Sequence, residues 1–75
     1  MADIPDKYSG WSVLYREIYD SSPFRQMAQG LYKGEAITLG KILFERDRLG
    51  HVEILDHTAT TRGYFSPKRP NGSFE

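Results

Sequence analysis

Glu35-Ala36-Ile37-Thr38-Leu39-Gly40-Lys41-Ile42-Leu43-Phe44-Glu45-Arg46-Asp47-Arg48-Leu49-Gly50 is the stretch on which the fold turns. Two periodicities fit it. With a period of two, Ile37 and Leu39 share a face, Gly40 hosts a bulge, and Ile42 and Phe44 continue the face after the register shift. Asp47 to Gly50 is then a turn into a strand from His51 to Leu55. With a period of 3.6, Thr38 is a cap, Leu39, Ile42, Leu43 and Leu49 form a stripe, and Gly50 stops the helix. Arg46 would break that stripe by facing the core. The β-branched and aromatic content, the internal Gly40 and the turn before His51 favour the strand.

N-terminal to this stretch the spacing points to helices. Trp11, Leu14, Tyr15, Ile18 and Tyr19 fall at i, i+3, i+4, i+7 and i+8, with Ser9 as a cap and Arg16, Glu17 and Asp20 off the stripe. Asp20-Ser21-Ser22-Pro23 stops the chain and restarts it, with Pro23 suited to a first helical position. Phe24, Met27, Ala28, Leu31 and Tyr32 then repeat the same spacing. Gly30 costs that helix about 1 kcal/mol relative to Ala, and Gly34 is placed to end it. Residues 1–8 read as a flexible lead-in.

C-terminal to it, Val52 and Ile54 alternate with Glu53 as in a half-buried strand, Asp56-His57-Thr58 is turn-like, and Thr60, Thr61, Tyr64 and Phe65 favour a second strand. Residues 66–75 hold Pro67, Pro70 and Gly72 without periodicity and read as a disordered tail. The expected fold is therefore α+β: two N-terminal amphipathic helices packed on a small antiparallel hairpin, with one globular domain over residues 9–65.

Composition narrows the function. The chain has 75 residues, enough for one domain with a thin core that buries about 60% of the unfolded surface. It has no cysteine, which excludes disulfides and thiolate metal sites and fits a cytoplasmic setting. Ten Lys and Arg balance ten Asp and Glu. Zero net charge counts against a general nucleic-acid binder, which needs cations for phosphate, and removes a brake on self-association, so a homodimer is compatible. No apolar run approaches the roughly 18 residues that span a bilayer, and residues 1–7 lack the pattern of a signal peptide.

Catalytic signals are weak. No Ser sits in a Gly-x-Ser-x-Gly elbow, and Gly34, Gly40 and Gly50 are too dispersed for a phosphate loop. On a strand His51 and Glu53 would share a face, but with His57 beyond a bend they read as ordinary surface residues rather than metal ligands. No cofactor is expected. The more informative segment is 58–71, which carries Arg62, Lys68 and Arg69 with Tyr64 and Phe65 and no acid. Cations interleaved with aromatics suit a protein partner or, less well here, nucleic acid. Five of the ten aromatics, Trp11, Tyr15, Tyr19, Phe24 and Tyr32, lie on the two N-terminal stripes, and Trp and Tyr are enriched at interface hot spots.

If 38–49 is helical, Leu39 to Phe65 resembles the end of a winged-helix domain, with Leu39, Ile42 and Leu43 on the recognition helix and Gly50 to Phe65 forming the wing. The resemblance implies DNA binding, with Lys41, Arg48 and Arg62 near phosphates. Glu45, Asp47 and the neutral charge depart from it. The favoured expectation is a small non-catalytic protein-binding module that regulates, inhibits or assembles a larger partner, of a kind found among phage and mobile-element proteins. Its expected contact residues are Trp11, Tyr15, Tyr19, Tyr32, Arg62, Tyr64, Phe65, Lys68 and Arg69. A small structural subunit of a large assembly is the remaining alternative.

Overall fold

The ambiguous stretch is a helix, and the two expected helices are strands. The computed structural model of the chain describes residues 8–17 and 23–74. Among them the element order is β1 (Trp11–Arg16), β2 (Arg25–Leu31), α1 (Lys33–Arg46), β3 (His51–Leu55), β4 (Thr61–Ser66) and β5 (Arg69–Phe74). The five strands form one antiparallel sheet in the order β2-β1-β3-β4-β5, with α1 crossing from β2 at one edge to β3 in the middle.

Trp11–Arg16 satisfies both periods, and the shorter one wins. Trp11 and Val13 are buried and Tyr15 half-buried on one face of the sheet, while Leu14, which completed the helical stripe, is paired with Glu53 and alternates to the other face. Trp, Val and Tyr are good strand residues. The rest of that stripe, Ile18 and Tyr19, lies outside the described residues. In β2, Gly30 adopts φ 72°, which no α-helix accommodates. β2 is an irregular edge strand with two register shifts against β1 and mostly exposed side chains.

α1 begins where the second helix was expected to end. Tyr32 is extended at the N-cap, its N–H donates to the Glu35 carboxylate at 2.9 Å, and the Ala36 N–H donates to the Tyr32 carbonyl at 2.9 Å. Its buried line is Ala36, Gly40 and Phe44, spaced by four. Gly40 is thus no bulge. A Cβ there would stand 3.0 Å from Ile54 Cδ1 and 3.3 Å from both Phe65 and Val52, so the missing side chain is what lets the helix lie close on β3 and β4. Arg46 is exposed, so the helix does not put it in the core. At the C-terminus the Asp47 N–H donates to the Leu43 carbonyl at 3.2 Å and the Asp47 carboxylate accepts the Leu49 N–H at 3.2 Å.

The hairpin from β3 to β4 lies where the sequence places it. The tail does not stay free: Arg69–Phe74 adds β5 beside β4, and Phe74 packs its ring over Gly63 and edge-on against Phe65 at 5.5 Å. With a single helix among the described residues, on a five-stranded sheet, the winged-helix alternative is also overturned. What stands of the expectation is the coarse α+β content. The core, Trp11, Val13, Ala36, Phe44, Val52, Ile54 and Phe65, lies wholly between α1 and one face of the sheet.

Candidate functional site

Because α1 packs on one face, the opposite face of β1, β3 and β4 has no second layer among the described residues. Strand alternation puts Leu14 and Arg16, His51 and Glu53, and Tyr64 there. These side chains form a row. The Arg16 guanidinium lies 4.7 Å from the centre of the Phe24 ring. Phe24 meets His51 edge-on at 5.5 Å, and His51 stacks on Tyr64 at 5.6 Å and 12°. His51 and Tyr64 are diagonal neighbours on adjacent strands, which explains the stacking. His51 Nε2 is 3.9 Å from the Glu53 carboxylate, which also accepts the Thr61 hydroxyl at 3.2 Å. Every member of the row is half-buried, with the His51 side chain 35% exposed.

At the Arg16 end the row runs into a cleft of about 310 Å³ where β1 ends, β3 begins and β4 turns into β5. Arg16, Glu17, Leu49, His51, Ser66 and Lys68 line it. A second, shallower depression lies on the flank of α1, lined by Tyr32, Leu39 and Ile42.

The nominated contact residues are not brought together. Trp11 is 2% and Phe65 3% exposed, both in the core. Tyr15 is half-buried on the α1 face, its hydroxyl donating to Asp47. Burial first, then the Asp47 carboxylate, pushes its pKa up to about 12. Tyr32 is exposed at the start of α1. Arg62 is bound to the buried Asp56, Nε to Oδ2, at 2.7 Å. Lys68 lies in the turn between β4 and β5, and Arg69 is the first residue of β5. Tyr19 lies outside the described residues. Of the nine, Tyr64 belongs to the row and Lys68 to the cleft.

Arg16, Phe24 and His51 went unnominated. The signal that finds them is the alternation of Trp11–Arg16: once it is a strand, Arg16 must stand beside residues paired across from it. His51 and Glu53 do share a face, while His57 lies in the turn that follows β3, against the Tyr8 ring at 4.9 Å. No group of three or more His, Asp and Glu is placed to hold a metal among the described residues. No helix there is long and apolar enough to cross a membrane. No family model, curated protein or solved structure matches this chain.

Proposed function

We propose that this chain is a small, non-catalytic protein-binding module that presents the open face of its sheet to a larger partner, which it regulates or assembles. The observation that supports this reading is the half-exposed row Arg16–Phe24–His51–Tyr64. Tyr and Arg are the residue types that concentrate binding energy at interfaces. Held by one another, these side chains have little rotamer freedom left to lose on binding, which lowers the cost of association. Glu53 within the row and Glu17 at its end set the surface against nucleic acid, as does the neutral chain.

Immobilised wild type and the double variant Phe24→Ser/Tyr64→Ser, compared by quantitative mass spectrometry of proteins captured from host lysate, test it. At least one protein should be retained by the wild type and depleted about tenfold or more by the variant, both showing the same circular dichroism spectrum. Identical capture profiles, or retention of nuclease-sensitive nucleic acid in place of protein, would overturn the reading.

A further inference from the structure

The row of rings ends on positive charge. Arg16 stands over Phe24 and lines the cleft, His51 belongs to both, and Lys68 reaches the cleft from the turn between β4 and β5. Two other arginines are neutralised, Arg48 by Glu45 and Arg62 by Asp56. Neither Arg16 nor Lys68 has an ion-pair partner among the described residues. Glu17 is the one carboxylate among the described residues that line the cleft.

We propose that this cleft seats a carboxylate of the protein partner, an acidic side chain next to an aromatic one that lies against the His51 and Tyr64 rings. The inference rests on the protein-binding reading and adds the chemistry of the partner. On the described lining of the cleft two full cations, Arg16 and Lys68, stand with one acid, Glu17, while Glu53 lies behind His51 at 3.9 Å from its Nε2 rather than on the lining, so the cationic side of the seat is the Arg16–Lys68 wall. Charge complementarity of this kind sets register and partner choice more than raw affinity.

The test uses the full chain, labelled with nitrogen-15, titrated with the capped peptide Ser-Phe-Glu-Asp-Phe-Ser. Its neutral Gln-Asn counterpart, inorganic phosphate and a ten-nucleotide oligothymidine are the comparison arms. The acidic peptide should give saturable amide shifts at Gly50, His51 and Lys68, and bind about tenfold tighter than the neutral one, the worth of two exposed ion pairs. Added salt should narrow that gap. Arg16→Gln/Lys68→Gln should remove it, and Lys68→Glu, on an exposed turn, should do so without touching the rings. Equal affinity for the neutral peptide, no saturable shifts at those amides, or tighter binding of phosphate or oligothymidine overturns the inference. A captured partner that depends on Phe24 and Tyr64 but ignores Arg16→Gln/Lys68→Gln leaves the binding face standing and removes the acidic seat alone.

Discussion

Asp56 is 1% exposed, and its carboxylate accepts the Thr58 N–H at 2.7 Å, the Thr58 hydroxyl at 2.5 Å, the Thr60 N–H at 3.1 Å and the Arg62 Nε–H at 2.7 Å. Burial by itself would raise its pKa; the bonds from Thr58, Arg62 and Thr60 outweigh it and hold the carboxyl well below the ordinary range. A carboxyl lowered by folding stabilises the fold above its unfolded pKa of about 3.9, and that contribution drains away as pH falls below it. Asp56→Asn should therefore cost about 2–4 kcal/mol at neutral pH. Urea midpoints from pH 6 down to pH 2 should show the gap to wild type closing, and parallel curves would contradict it. Tyr15 has the opposite sign. Its pKa is raised, so its contribution is full below pH 10 and lost as pH rises toward about 12. Tyr15→Phe should cost about 1 kcal/mol at pH 7, with the difference vanishing over that alkaline window. The turn at Asp56 was legible from its local residue types, but its tie to Arg62 was not, since a lone arginine six residues on reads equally as a surface contact. The bond from Tyr15 to Asp47 spans 32 positions, and no local pattern announces it.

Among the elements, the hairpin of β3 and β4 could be read and the rest could not, for a shared reason. Val52, Glu53 and Ile54 alternate in a way no helix imitates, whereas Trp11, Leu14 and Tyr15 fit both periods because apolar residues lie on both faces of β1. Leu14 belongs to the open face, so the spacing that suggested a helix arises from the two opposite faces of the strand. In α1 the error runs the other way. Its buried line includes Ala36 and Gly40, which carry little hydrophobic signal, and Gly40 lies close on the sheet, while Ile42 stays exposed. Tertiary closeness, not propensity, put Gly40 there. Gly40→Ala separates the two effects. Propensity alone favours Ala by about 1 kcal/mol, but the new methyl would meet Ile54 Cδ1 at 3.0 Å and push the helix off β3. Overpacking of this kind costs about 1–3 kcal/mol, so the variant should be less stable in urea despite its better helix former. A stabilised Gly40→Ala would mean the helix rides higher than the structure places it.

At the scale of the molecule, the core covers one face of the sheet and, among the described residues, leaves the other without a second layer. Among the described residues, seven buried apolar side chains lie between α1 and the sheet, and each fully buried large one is worth about 1.5–3 kcal/mol. With so few, none is dispensable. Phe44 is 2% exposed and stacks on Phe65 at 5.9 Å. Phe44→Ala should cost about 3–5 kcal/mol, comparable to the whole stability of a marginal domain, and leave the chain largely unfolded at 37 °C by circular dichroism. Tyr64 sits one residue from Phe65 and faces the other way. If the open face is a binding surface, its rings contribute more to association than to folding. Tyr64→Ser should lose the stacking on His51, about 0.5–1.5 kcal/mol, and still melt cooperatively. The contrast within two adjacent positions carries the division of labour. A Tyr64→Ser variant as unfolded as Phe44→Ala would show that the row is part of the core's support, and the open face would then lose its claim to be a surface held for a partner.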